Sequence, residues 1–199
     1  MFIVNKMPQS LSAESYRSIR TSIKYSSVDN PIKTIVITSS NSSEGKSTVA
    51  GNLAFSLSQN GSRTLLIDCD LRKPSVHKKF LIPNDKGLTD VLFDKQDLKE
   101  VIKKIENNLY VLPCGTIPPN PAEILGSKTM EEFLDKLSIN YDYIILDTPP
   151  VLAVTDAQLL AAKADATVLV VKANKTKGKT VVNSYKELEK VKANIIGTI

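Results

Sequence analysis

Ile35-Val-Ile-Thr-Ser-Ser-Asn-Ser-Ser-Glu-Gly-Lys-Ser-Thr48 decides the fold: an apolar run turns into small polar residues and then into Gly45-Lys-Ser-Thr48. This order predicts a strand, a phosphate-binding loop and the start of a helix. Amides at a helix N-terminus attract phosphate oxygens, a lysine reaches the terminal phosphates and a hydroxyl binds Mg²⁺. We therefore expect Lys46 at the phosphates and Ser47 at the metal, although Ser40 stands where the G-x4-G-K-[ST] pattern has its first glycine.

On both sides of this loop, apolar strands alternate with amphipathic helices. We predict strands at 32–38, 64–68, 109–112, 143–147, 166–172 and 195–199, and helices at 13–25, 47–59, 87–92, 98–105, 122–137, 154–162 and 176–191. Residues 1–10 and the stretch 70–74 read as irregular. Continuously apolar strands are typical of buried parallel sheets. The alternation predicts an α/β fold, a doubly wound and mostly parallel sheet flanked by helices on both faces.

Acidic residues follow two of the apolar strands. Asp68 and Asp70 end the second strand, and Asp147 ends the strand at 143–147. Ligands of open α/β sheets bind outside the carboxyl ends of the strands, so these residues and the phosphate-binding loop should meet at one edge. A buried carboxylate needs a hydrogen bond, an ion pair or a metal. Mg²⁺ is the natural partner beside phosphates, although Asp68 and Asp147 could instead cap neighbouring helices or turns.

Composition sets further bounds. The 199 residues, 42% apolar and 24% charged, suit one soluble domain, and most of the lysines behind the net charge of +5, including Lys78 and Lys79, are expected to be solvated. Cys69 and Cys114 lie in or beside apolar runs, which favours buried thiols, and with His77 as the lone histidine they cannot form a zinc site. No apolar run spans a membrane and no secretory leader begins the chain, so we expect a cytosolic protein or one held at a membrane through a partner.

Three of these segments together resemble the Walker A, A′ and B motifs of the bacterial tyrosine kinases, cytoplasmic autokinases of capsule and exopolysaccharide synthesis. They are Gly45–Thr48, Thr64–Arg72 and Tyr143–Pro150. Glu14-Ser-Tyr-Arg17-Ser-Ile-Arg20 matches the E-x-x-R-x-x-R oligomerisation helix of that family, and Pro118–Leu125 resembles its proline-rich loop. The resemblance implies a single P-loop kinase domain of the deviant-Walker superfamily over residues 1–199, with 1–30 as the oligomerisation region and 31–199 as the nucleotide-binding core.

The resemblance also implies roles for individual residues, with ATP and Mg²⁺ as cofactors. The nucleotide-binding residues would be Glu44, Gly45, Lys46, Ser47, Thr48 and Arg72, the metal ligands Ser47, Asp68 and Asp147, the catalytic residues Lys46, Asp68 and Asp70, and the oligomerisation residues Glu14, Arg17 and Arg20. Asp68 would accept the proton of the incoming tyrosine. Arg72 could instead form a surface ion pair, and Glu14 could pair with Arg17 within the helix.

The family further implies partners and a location. We expect a homo-oligomeric ring and a membrane activator whose cytoplasmic segment is a separate chain or a removed domain, with no nucleic acid. The protein would lie in the cytoplasm, peripheral at the inner face of the membrane. The family carries a tyrosine cluster in a C-terminal tail, whereas the six tyrosines here are scattered and Ile199 falls inside a predicted strand, so we expect a truncated chain.

Two departures from related patterns leave alternatives open. Ser42 and Ser43 stand where the kinases have Pro and Gly, so a positive φ at residue 43 would strain the loop and suggest a catalytically weak nucleotide-binding regulator. The other alternative is a partitioning or division-site ATPase of the same superfamily. Those proteins have a signature lysine at the position that Asn41 occupies here, which argues against this alternative.

Overall fold

A computed structural model describes residues 2–26, 31–93 and 96–199. The strands are β1 (Thr34–Ser39), β2 (Thr64–Asp68), β3 (Lys103–Glu106), β4 (Leu109–Leu112), β5 (Tyr143–Asp147), β6 (Ala166–Val170) and β7 (Ile195–Thr198). The helices are α1 (Ile3–Lys6), α2 (Leu11–Tyr25), α3 (Lys46–Gln59), α4 (Val76–Phe80), α5 (Leu88–Phe93), α6 (Leu98–Val101), α7 (Pro121–Leu125), α8 (Lys128–Ser138), α9 (Asp156–Ala161) and α10 (Gly178–Lys190).

The strands form one sheet in the order β3-β4-β2-β5-β1-β6-β7. All neighbouring pairs are parallel except β3 and β4 at the edge, which are antiparallel. Every residue of β1, β2 and β6 is buried, as expected for strands with helices on both faces. Two apolar clusters separated by the sheet complete the core. The predicted fold class is confirmed, and β1, β2 and β5 lie side by side with their carboxyl ends at one edge.

The N-terminal helices pack on α3, which is buried along its whole length except at Thr48 and Gln59. The ring of Phe2 lies 5.3 Å from that of Phe55 and 4.4 Å from that of Phe80. The prediction that residues 1–10 are irregular was wrong for α1, since the amide of Val4 donates to the Asn52 side chain at 3.0 Å. A helix this short depends on such tertiary contacts, which sequence periodicity does not report.

Three other predicted elements differ in the structure. The predicted helix 98–105 ends at Val101, because the chain then forms β3 and pairs with β4. The predicted helix 122–137 is divided into α7 and α8, where the Ser127 hydroxyl accepts a hydrogen bond from the Met130 amide and caps the second helix. Helix α4 follows the loop 70–74 and was not predicted. The predicted end of the oligomerisation region at residue 30 lies outside the described residues.

Cys69 and Cys114 are both buried free thiols, as predicted, and burial raises the pKa of each. Among the helices in the described ranges, none is long and apolar enough to cross a bilayer.

Candidate active site

A cleft of about 490 Å³ opens at the carboxyl ends of β1, β2 and β5. The phosphate-binding loop and the start of α3 form one wall, through Ser42, Ser43 and Gly45 to Thr48. Asp70 and Arg72 after β2 and Pro149 and Pro150 after β5 complete it. Three segments that are far apart in sequence therefore meet at the edge where the sequence predicted them.

The loop backbone contains two residues in the left-handed region. Gly45 caps the N-terminus of α3 with φ 104°, a conformation that glycine adopts without strain. Ser43 has φ 64°, which costs a non-glycine residue about 1 kcal/mol or more. Ser43 therefore has the positive φ that would strain a serine at the position where the kinases have glycine, and the loop carries backbone strain at that residue.

Two hydrogen bonds tie the loop to the segment around α10. The Ser184 hydroxyl donates to Ser40 Oγ at 2.7 Å, and both residues are buried. The Thr176 hydroxyl donates to Glu44 Oε1 at 2.5 Å, and the same carboxylate accepts from the Asn41 amide and side chain. Burial raises the pKa of Glu44, but these hydrogen bonds outweigh it and the net pKa is lowered. The Glu44 side chain is therefore occupied by Thr176 and Asn41, which leaves its backbone amide for phosphate.

Lys46 lies between two carboxylates at the base of the cleft. Its Nζ is 2.9 Å from Asp70 Oδ2 and 3.9 Å from Asp147 Oδ1. Burial lowers the pKa of Lys46, but the charges of Asp147 and Asp70 outweigh burial and raise it. Asp70 also accepts from the Lys73 amide at 3.0 Å. Because β2 ends at Asp68, the chain turns and directs Asp70 towards Lys46.

Asp68 and Asp147 occupy the same register on the neighbouring strands β2 and β5. Asp68 Oδ2 accepts from the amides of Ser75 and Val76 at 2.9 Å each, at the start of α4. Asp147 is fully buried, and within the described residues neither of its oxygens accepts a hydrogen bond. Burial raises the pKa of both carboxyls, and the charge of Asp147 raises that of Asp68 further. Capping of α4 thus explains Asp68, whereas the partner of Asp147 is the Lys46 ammonium at 3.9 Å.

The donor set at Asp147 and Ser47 fits Mg²⁺ that is shared with a phosphate. No group of three or more His, Cys, Asp or Glu in the described ranges is placed to hold a metal. Mg²⁺ in nucleotide sites takes one or two protein carboxylates together with phosphate oxygens and waters, so a full protein cage is not required. The Asp147 oxygens, which accept no hydrogen bond from the described residues, supply the hard anionic ligand. The Ser47 hydroxyl, which accepts from Ser75 Oγ at 2.9 Å, lies on the cleft.

Arg72 and Lys79 lie on the cleft in different ways. Arg72 donates two hydrogen bonds, at 2.9 and 3.0 Å, to the buried carboxylate of Asp156. It therefore forms an ion pair, and it also lines the cleft. Lys79 was predicted to be solvated, and that prediction was wrong because its Nζ donates to Thr48 Oγ1 at 3.0 Å. Only α4 brings Lys79 there, and the sequence pattern did not predict this five-residue helix. The neighbouring Lys78 is exposed.

The oligomerisation residues on α2 make contacts within the chain. Glu14 and Arg17 form an ion pair of 2.6 Å, and Arg17 also donates to the Pro8 carbonyl. Arg20 donates to the Ser56 carbonyl of α3 at 2.8 Å. The intrahelical alternative is thus realised in the single chain, and a role between subunits is a prediction that this structure leaves untested.

Comparison with known proteins places the chain in a family. A family model described as "AAA domain" matches residues 32–197. A tyrosine-protein kinase of Bacillus subtilis, YwqD, is 46% identical over 96% of this chain and 81% of its own length. The chain belongs to the bacterial tyrosine kinases. A solved chimerical protein, CapA2B2, matches with a TM-score of 0.95 and 38% identity over 99% of the chain and 87% of that structure.

A second structure supports the same kinase assignment. The kinase domain of the Escherichia coli tyrosine kinase ETK matches all of the chain and 78% of that domain, with a TM-score of 0.93 and 31% identity. A septum site-determining protein of Pyrococcus horikoshii is 23% identical, with a TM-score of 0.68, and shows the shared P-loop fold alone. The chain is therefore a protein-tyrosine kinase with a nucleotide-binding P-loop fold, and the partitioning-ATPase alternative is set aside.

Proposed function

We propose that this kinase is an ATP- and Mg²⁺-dependent autokinase that phosphorylates a tyrosine-rich tail in trans and so regulates capsule or exopolysaccharide synthesis. One observation carries the proposal: Lys46 is held between Asp70 and Asp147 on a P-loop cleft, and the Asp147 oxygens have no hydrogen-bond donor among the described residues. That arrangement suits a metal-bound polyphosphate. Relatives named CapB, from Staphylococcus aureus, and "in cps region", from Klebsiella pneumoniae, support the polysaccharide pathway.

In this proposal the loop residues bind and orient the nucleotide. The amides of residues 44–48 and Thr48 Oγ face the α and β phosphates, and Lys46 stabilises the charge that shifts towards the leaving oxygen. Asp70 keeps the Lys46 ammonium in place until phosphates share it. When held by Ser47, Asp68 and Asp147, Mg²⁺ would neutralise phosphate charge. Arg72 adds a further cation on the cleft wall.

The acceptor tyrosine requires a proton acceptor, since its hydroxyl has an ordinary pKa of about 10 and is a poor nucleophile. We assign that role to Asp68, because it ends β2 in register with Asp147 and two residues before Asp70, and burial with the charge of Asp147 raises its pKa, which makes it a stronger base than an ordinary carboxylate. Asp70 lines the cleft and orients the acceptor beside Asp68.

The proposal includes partners. Glu14, Arg17 and Arg20 on α2 would exchange their contacts within the chain for contacts with a neighbouring subunit and form a ring. The cytoplasmic segment of a membrane protein would activate the kinase and hold it at the inner face of the membrane. The chain covers only 24% of the wzc kinase of Salmonella typhi, so that relative has further segments beyond the shared kinase region.

Purified protein is incubated with labelled ATP and a tyrosine-rich peptide, with Mg²⁺ or with EDTA. We expect phosphotyrosine from the unchanged protein with Mg²⁺ only, and none from Lys46→Met. The matched control is Lys78→Met, which removes an exposed lysine near the cleft and should retain activity.

Each alternative gives a different result in the same assay. ATP binding without phosphotyrosine would favour the catalytically weak regulator, for which the positive φ of Ser43 is the supporting observation. Equal phosphorylation by Lys46→Met would refute the assigned role of the loop lysine.

A further inference from the structure

A second cavity of about 630 Å³ lies far from the nucleotide cleft, between α5 and α6 on one side and α8 on the other. We call it the α6–α8 groove. Its floor is apolar and aromatic, formed by Leu98, Ile102, Phe133, Tyr110 and Tyr141. Apart from Tyr141 these side chains are only partly buried, so the groove keeps apolar surface in contact with water.

Four cations surround this floor, and none of the acidic residues in the described ranges lines it. Lys99 and Lys136 are exposed on α6 and α8, Lys104 is exposed on β3, and Arg63 precedes β2. Within the described part of the chain, none of the four forms an ion pair with a carboxylate. The nearby Asp142 carboxylate accepts from the backbone amide of Arg63. The groove therefore presents positive charge that no carboxylate of the described residues neutralises through an ion pair.

Arg63 contacts two aromatic rings of the groove. The centre of its guanidinium lies 5.1 Å from the ring centres of both Tyr110 and Tyr141, and the two rings are edge to face at 5.6 Å. These two neighbouring rings hold the guanidinium by cation–π contacts, while its N–H groups can still bind an anion. A preorganised arginine loses less side-chain entropy on binding than a flexible one.

We propose that the α6–α8 groove binds an acidic peptide segment of a partner protein, whose aliphatic or aromatic anchors enter the apolar floor while its carboxylates meet the four cations. Charge complementarity selects this occupant, since an apolar floor alone would accept any amphipathic helix whereas the cation rim favours an acidic one. Arg63 lies one residue before β2 and Tyr141 two residues before β5, so the groove lies at the amino ends of the strands. A partner bound there leaves the nucleotide cleft open.

The test uses a short fluorescein-labelled peptide of glutamates with Phe and Leu at helical spacing, and fluorescence anisotropy with the whole chain. We expect saturable binding that weakens with salt. The double variant Lys99→Glu/Lys136→Glu should weaken binding by about tenfold or more, because rim charges would now repel the peptide. The matched control Lys128→Glu/Lys186→Glu reverses two exposed lysines that do not line the groove and should change affinity by less than about twofold.

A single variant and two altered peptides test the same groove if the double variant folds poorly. Leu98→Ser should also weaken binding, and peptides with Gln for Glu, or with Ser for Phe and Leu, should bind at least about tenfold more weakly. Equal binding of these peptides would overturn the proposal. So would displacement by ATP, binding to phosphatidylglycerol vesicles but not to the peptide, or self-association that Lys99→Glu/Lys136→Glu abolishes in sedimentation, because the occupant would then be different.

Discussion

Replacing Asp147 by asparagine is expected to stabilise the ligand-free protein. Asparagine has the shape of the protonated acid, so this variant removes only the cost of ionising a buried carboxyl. Burial, partly offset by Lys46, raises the pKa of Asp147 to about 6 from an ordinary 3.8. At 1.36 kcal/mol per pKa unit this difference corresponds to about 3 kcal/mol when the group is fully ionised. We therefore expect Asp147→Asn to raise the free energy of unfolding by about 1 to 3 kcal/mol.

The gain should depend on pH. The folded-state pKa of Asp147 is raised, so the native protein keeps a proton that the unfolded chain has released. The penalty is absent below the ordinary carboxyl pKa of about 4, grows between about pH 4 and 6, and is complete above that. Urea unfolding in EDTA at pH 7.5 and at pH 4 measures both limits. This reasoning would be refuted if Asp147→Asn were no more stable than the unchanged protein at pH 7.5, or if its stability gain were as large at pH 4 as at pH 7.5.

Asp156→Asn is the matched control, because this carboxylate is equally buried but accepts two hydrogen bonds from Arg72. Its replacement should destabilise the protein by about 1 to 3 kcal/mol, the opposite sign. In the presence of Mg²⁺ and ATP at a hundred times the dissociation constant, the unchanged protein should gain about 2.7 kcal/mol. Asp147→Asn should lose most of that gain, because it lacks the anionic ligand.

Three further perturbations test the loop and its support. Ser43→Gly should raise the free energy of unfolding by about 1 kcal/mol in urea titrations, since φ 64° no longer strains the residue. An unchanged or lower value would contradict the strain. Thr176→Val removes the hydroxyl that holds Glu44 and should weaken ATP binding about fivefold by calorimetry, a loss of about 1 kcal/mol, without lowering the melting temperature appreciably. Unaltered affinity would show that the tie does not position the loop. Gly51→Ala should destabilise by about 1 to 3 kcal/mol by thermal unfolding, because the new Cβ would lie 2.0 Å from the Phe2 ring. A higher melting temperature for Gly51→Ala, as helix propensity alone would give, would contradict this close contact.

The residues predicted to meet at the site were those whose position the strand pattern determines. Asp68 and Asp147 end continuously apolar strands, and parallel register brings such ends together. The position of Lys46 could be predicted from the loop, because the loop leads directly into the first turn of α3, which faces the cleft. In each case local sequence and one topological rule were enough.

Contacts made by short or edge elements could not be predicted in this way. Lys103–Glu106 is rich in helix-forming residues, yet it forms β3 because β4 offers a free edge. Lys79 reaches Thr48 only through the five-residue helix α4, and α1 depends on Asn52. Propensity and periodicity describe a segment by itself, whereas these elements exist because of a partner elsewhere in the chain.

The packing of the N-terminal helices on α3 has a practical consequence for studies of assembly. Arg20 binds a carbonyl of α3, and Phe2 fills the space above Gly51. Deleting the first thirty residues to test the proposed ring would therefore uncover the side of α3 that lies away from the sheet. A loss of activity in such a deletion could then result from misfolding or from failure to assemble, and the two causes could not be told apart. Exposed single-residue changes such as Glu14→Ala are the cleaner means of separating the two.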